Sequence, residues 1–162
     1  MLLDIHGGGF CLGAPADDDW VNDFIARTCG VAVVAVGYRL APEHPQPAGA
    51  EGCLAAARWL AEHAVAEFGT DRLLVGGSSA GGHLAARTLL GPREHGLIDR
   101  VVAANLVFGV YDGSGSPSSR AATNDTLVLT ADWIRDFAAL TPSPGWTRKR
   151  SATPRSRRSM RT

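Results

Sequence analysis

The sequence predicts an α/β fold with a doubly wound, mostly parallel sheet, on three observations. Residues 31–36, VAVVAV, form a continuous apolar run rich in β-branched valine, which is typical of a strand buried on both faces. Apolar strand patterns alternate with helical patterns along the chain. Residues 73–85, LLVGGSSAGGHLA, pass from an apolar strand through small residues into a helix. This alternation indicates parallel strands joined by crossover helices.

The predicted elements follow one another in a regular order. The four predicted strands span residues 2–5, 31–36, 72–76 and 101–108. The first helix has acids in its first turn and ends at Gly30. The others are a helix over 48–68 with Leu54, Ala57, Leu60 and Ala61 on one face, a helix from the small-residue junction to Leu90, and a helix over 131–140.

Charge divides the chain into two predicted parts. Residues 1–141 carry nine arginines and all 16 acidic residues, whereas residues 142–162 carry six arginines, one lysine and no acid. We therefore predict a mildly acidic domain over 1–141 and a basic, disordered tail over 142–162. Nucleic-acid binding by the tail is the weaker alternative, because seven charges with only Trp146 as an aromatic are a poor signal for it.

The composition of the chain argues against several classes of protein. The chain has 162 residues with 45% hydrophobic content, enough for one domain with a core. No signal peptide and no membrane-spanning apolar run is evident, so a cytoplasmic protein without a membrane partner is expected. The three cysteines, Cys11, Cys29 and Cys53, lack C-x-x-C spacing and are interpreted as small buried hydrophobes. No metal site and no cofactor are predicted.

The small-residue junction contains the motif G-x-S-x-G. Gly77, Ser79 and Gly81 have this spacing, which places Ser79 at the apex of a sharp strand-to-helix turn. A phosphate-binding loop would need Lys and Ser or Thr where Gly82 and His83 stand, and the dinucleotide motif G-x-G-x-x-G would need glycine at position 79. A tight turn without chemistry remains the alternative.

A second glycine-rich stretch, HGGGF at residues 6–10, directly follows the first predicted strand. Three consecutive glycines allow backbone N–H groups to point into a site without side-chain obstruction, as acyl transfer requires for a developing oxyanion. A flexible linker is the alternative, but a linker would not normally lie between an apolar strand and Phe10.

Three motifs together resemble the bacterial hormone-sensitive-lipase family of α/β-hydrolases, also called GDXG esterases. They are HGGGF at 6–10, YRLAPEHPQPA at 38–48 and GSSAGGHLA at 77–85. The family's third motif reads G-D-S-A-G-G-N-L-A, so this chain differs at Ser78 and His83. The resemblance covers nearly all of residues 1–140 and implies a truncated α/β-hydrolase fold built from the central strands. In the family's strand order both outer strands would be apolar and without a partner, so we expect self-association through exposed sheet edges.

The resemblance implies a serine carboxylesterase acting on small-molecule esters. By this resemblance Ser79 is the nucleophile, and the backbone N–H groups of Gly8, Gly9 and Ala80 hold the oxyanion. His6 is implied to shape the loop rather than to act as the base. Arg39 and Glu43 of the second motif are implied to brace the loops beneath the site.

The acid and base of the family have no evident counterpart in the sequence. The fold orders its catalytic residues Ser, then Asp or Glu, then His, and the only histidines after Ser79 are His83 and His95. His83 lies on the helix that starts at the serine, and His95 precedes any later strand. The alternative is therefore a catalytically inactive fragment or a non-catalytic small-ligand-binding protein. Gibberellin receptors resemble the same family and bind a ligand without a working histidine.

Overall fold

A computed structural model describes residues 1–91, 97–112 and 129–141. Four strands, a single 3-10 turn and five α-helices are found in these segments. The strands are β1 (Leu2–Ile5), β2 (Val33–Val36), β3 (Leu73–Ser78) and β4 (Val101–Val107). The 3-10 turn spans Pro15–Asp18, and the helices are α1 (Asp19–Cys29), α2 (Ala48–Phe68), α3 (Ala80–Leu90), α4 (Leu97–Arg100) and α5 (Ala131–Leu140).

The four strands form one parallel sheet in the order β2-β1-β3-β4. Asp4 of β1 lies opposite Ala35 of β2 and Gly76 of β3, so β1 and β3 are the central pair. Because the strands are parallel, their carboxyl ends meet at one edge of the sheet. The glycine loop after β1 and the turn after β3 therefore lie side by side.

The core fills the sheet face that α2 and α3 cover. Leu3, Ile5 and Val75 of the sheet and Leu84 of α3 are fully buried, and Leu60 of α2 is 2% exposed. On the opposite face α1 contributes Asn22, whose Nδ2 donates to Asp4 Oδ2 at 3.1 Å. Helices on both faces confirm the predicted doubly wound α/β architecture.

Two expectations about burial need correction. Strand β2 is only half-buried along its whole length because it lies at the sheet edge, whereas the VAVVAV run predicted burial on both faces. The cysteines also differ from one another: Cys53 is buried, Cys11 is intermediate and Cys29 is exposed. Cys29 is exposed because it is the last residue of α1, a helix in which only Asn22 is buried.

Several predicted features lie outside the described residues. They are the basic tail over 142–162 and His95. Among the helices that the structure describes, none has the length and apolar character needed to span a membrane. Within the same residues, no group of three or more His, Cys, Asp or Glu side chains is arranged to hold a metal ion.

Candidate active site

Ser79 lies at the sharp turn between β3 and α3. Its backbone has φ 54° and ψ −117°, a conformation that residues with a Cβ rarely adopt. The Ser79 N–H donates to Val107 O at 2.9 Å, which fixes the turn to the end of β4. The serine is also the N-cap of α3, so its side chain lies where the positive end of the helix dipole is strongest.

The two glycines of G-x-S-x-G are required by close contact between α3 and β1. A Cβ on Gly77 would lie 2.5 Å from Ile5 O and 2.7 Å from Gly81 C. A Cβ on Gly81 would collide with the carbonyl oxygens of Ile5 and His6. The glycines therefore let the first turn of α3 pack directly on the end of β1.

The glycine loop after β1 lies beside Ser79. A Cβ on Gly7 would be 3.6 Å from Ser79 Cβ. Gly8 and Gly9 have φ values of 113° and 62°, which glycine adopts without strain. The Gly8 carbonyl accepts hydrogen bonds from the N–H groups of Cys11 at 3.1 Å and Leu12 at 2.9 Å. The loop is therefore a defined turn rather than a flexible linker.

His6 supports this loop from below. It is 3% exposed, and its Nδ1 donates to Gly7 O at 2.7 Å. Its ring stacks on Tyr38 with centroids 4.3 Å apart and planes 16° apart. Gly13 packs against the same ring, since a Cβ there would lie 2.8 Å from His6 Nδ1. These contacts support the loop-shaping role that the resemblance implied.

His83 lies one turn into α3. Its Nδ1 donates to Val110 O at 2.5 Å, and its ring meets the edge of Phe10 at a centroid distance of 5.4 Å. Burial lowers the pKa of His83, and the nearby Arg87 charge lowers it further, while the Val110 bond opposes both. The ring therefore connects the helix to the segment after β4 and to the last residue of the HGGGF motif.

The second motif is tied to the start of α2. Arg39 donates to Glu51 Oε2 at 3.2 Å and to Ala48 O at 3.3 Å, which agrees with the bracing role expected of it. Glu43 is exposed to solvent.

Two contacts of the site were not predicted from the sequence. The single proton of the Tyr38 hydroxyl is shared between the carbonyls of His6 at 3.1 Å and Gly7 at 3.3 Å. The Phe137 ring of α5 covers Gly9 so closely that a Cβ there would be 2.8 Å from two ring carbons. Tyr38 belongs to a recognised motif, but the sequence does not indicate which loop its hydroxyl reaches. Phe137 has no local signal, because its partner is far away along the chain.

Comparison with known proteins assigns this geometry to a family. Residues 2–158 match a family described by its alpha/beta hydrolase fold. Lipase 2 of Moraxella sp. is 38% identical over 144 residues, which are 86% of this chain and 30% of that protein. Carboxylesterase NlhH of Mycobacterium tuberculosis is 49% identical over 88 residues, which are 53% of this chain and 27% of that protein.

Solved structures give the same result. A hyperthermophilic esterase from the archaeon Pyrobaculum calidifontis superimposes with a TM-score of 0.80 at 37% sequence identity. The match covers 89% of this chain and 47% of that esterase, so this chain spans about half the length of its structural relative. The chain belongs to the carboxylesterase- and lipase-like family of α/β-hydrolases, in its hormone-sensitive-lipase group.

Proposed function

We propose that this chain supplies the nucleophile and the oxyanion donors of a serine carboxylic-ester hydrolase. The observation that carries the proposal is the conformation of Ser79, held at φ 54° on the N-terminus of α3 and next to Gly7. A serine in this position presents its hydroxyl above the sheet edge, clear of neighbouring backbone. The names of the relatives, which include lipases and carboxylesterases, support an ester substrate.

The proposed reaction is acyl transfer through Ser79. The hydroxyl oxygen attacks the ester carbonyl carbon and loses its proton to a base, and the carbonyl oxygen becomes an oxyanion. The N–H groups of Gly8, Gly9 and Ala80 are the proposed donors to that oxyanion. Collapse of the tetrahedral intermediate expels the alcohol and leaves an acyl group on Ser79. Water then hydrolyses the acyl-enzyme to a carboxylic acid.

The proposed reaction also needs a base that accepts the proton of the Ser79 hydroxyl. His83 is the histidine nearest to Ser79 along the chain, but it lies on the helix that starts at the serine rather than on a loop facing the hydroxyl, with its Nδ1 bonded to Val110 O and its ring against Phe10. We therefore assign no base and no orienting acid among the residues that the structure describes. Without a base, serine esterases lose several orders of magnitude in rate.

Turnover of p-nitrophenyl butyrate tests the proposal. The comparison uses the folded chain, Ser79→Ala and the neighbouring control Ser78→Ala. Turnover that disappears in Ser79→Ala and persists in Ser78→Ala would support an esterase with its acyl-enzyme on Ser79. Equal background turnover in all three folded samples would favour the alternative, an inactive or ligand-binding relative.

A cytoplasmic location stays a prediction, which cell fractionation tests.

A further inference from the structure

The Tyr38 hydroxyl reaches the backbone on which two of the proposed oxyanion donors depend. It lies 3.1 Å from His6 O and 3.3 Å from Gly7 O. His6 Nδ1 donates to the same Gly7 carbonyl at 2.7 Å. The Tyr38 hydroxyl and His6 Nδ1 therefore both contribute to fixing the direction of the Gly7 carbonyl.

Fixing the Gly7 carbonyl also fixes the Gly8 N–H. The two groups belong to one planar trans peptide, in which C=O and N–H point in opposite directions. With Gly7 O held towards Tyr38 and His6, the Gly8 N–H must point away from both rings. The next peptide is fixed in the same way, because Gly8 O accepts from Cys11 and Leu12. The hydrogen-bonded carbonyl of the preceding residue thus orients the N–H group of each proposed glycine donor.

Tyr38 is itself firmly held. Tyr38 is only 6% exposed, and its ring packs against α2, where a Cβ on Gly49 would lie 3.2 Å from Tyr38 Cδ2. The Ala41 N–H donates to Phe10 O at 2.9 Å, so the two loops are also joined through their backbones. Burial raises the pKa of Tyr38, which keeps the hydroxyl protonated and able to donate.

We propose that Tyr38 is a positioning residue that orients the Gly8 N–H towards the reacting carbonyl through its hydrogen bond to Gly7 O. The inference rests on the proposed esterase function. It assigns a specific task to the tyrosine of the second motif, in which the resemblance implied a bracing role only for Arg39 and Glu43. A positioning effect of this kind acts on the transition state, where the oxyanion forms, rather than on the bound ester.

Tyr38→Phe removes the hydroxyl and keeps the ring that stacks on His6. We expect kcat for p-nitrophenyl butyrate to fall about tenfold while KM stays within about twofold, because His6 still holds Gly7 O. In the chain labelled with ¹⁵N-glycine, the Gly8 amide resonance should shift and its hydrogen exchange should accelerate. The Gly69 amide, which caps α2, provides an internal reference.

The matched control is Tyr111→Phe, which removes the chain's other tyrosine hydroxyl, an acceptor for the Gly109 N–H at 3.3 Å. It should leave kcat and the Gly8 amide unchanged. Unchanged kcat in Tyr38→Phe would overturn the inference, whether or not the Gly8 amide moves, and so would an equal loss in both variants. If the unmutated chain turns over no faster than Ser79→Ala, the proposed function fails first and the inference fails with it.

Discussion

Ser79, at the N-terminus of α3, and His83, on that helix, show how the surroundings constrain single residues. A non-glycine residue in the Ser79 conformation costs on the order of 1–3 kcal/mol, which the surrounding structure must offset. The bond from Ser79 N to Val107 O and the start of α3 do so. At His83 the constraint is on the side chain, because its titratable ring is partly buried and lies against Phe10.

The lowered pKa of His83 predicts a pH dependence of stability. Burial disfavours the charged ring in the folded state, so the unfolded chain binds the proton more readily once the pH falls below about 6.5. The contribution of His83 to the free energy of unfolding is therefore complete above that pH and declines as the pH falls. Urea unfolding at pH 8 and pH 5 should show a smaller loss of stability in His83→Asn than in the unmutated chain. An equal or larger loss in the variant would contradict this assignment.

At the scale of elements, the contact between α3 and β1 determines where the serine lies. The helix approaches so closely that Gly81 has no room for a side chain beyond the carbonyls of Ile5 and His6. The long helix α2 has a looser contact at Gly52, where a Cβ would be 3.9 Å from Tyr38 Cα. A methyl group would therefore clash with backbone at Gly81 but would fit at Gly52, although both glycines lie in helices.

This difference predicts opposite effects of the same substitution. Gly81→Ala should lower the free energy of unfolding by at least about 3 kcal/mol, because the methyl group overlaps backbone that cannot move away. Gly52→Ala should raise it by about 0.5–1 kcal/mol, since alanine favours the helix and the contact is an ordinary one. Urea unfolding of both variants measures the difference. Similar effects of the two substitutions would contradict the close contact of α3 with β1.

At the scale of the whole molecule, the described sheet ends in two apolar edges. Strands β2 and β4 are its outer members, and Val102 and Leu106 of β4 are 48% and 39% exposed. An edge strand with exposed apolar side chains is a template for pairing with another chain.

Self-association through β4 is therefore expected. Val102→Lys places a charge on the exposed edge and should shift the sedimentation profile towards the monomer at equal protein concentration. Val65→Lys makes the same substitution at a 56% exposed valine of α2 and should leave the profile unchanged. A profile that neither variant alters would show that β4 is not the associating edge.

Much of this organisation could be predicted from the sequence, because the signals were local. The strand-to-helix turn at Ser79, the stop at Gly30 and the helix ending at Leu90 each depend on neighbouring residues, and the structure confirms them. The half-burial of β2 could not be predicted, because a β-branched run does not reveal strand order. The contacts of Tyr38 with Gly7 and of Phe137 with Gly9 were also missed, because they join segments that only the fold brings together.

The most direct test of the central claim is the first turnover of p-nitrophenyl butyrate, followed by peptide mass mapping of the quenched protein. Acylation releases p-nitrophenolate before deacylation is complete, so the account predicts a butyryl group on the peptide that contains Ser79. The label should be absent from Ser79→Ala and present in Ser78→Ala. A folded chain that releases no p-nitrophenolate above the Ser79→Ala background, or that carries the acyl group on another residue, would contradict Ser79 as the nucleophile.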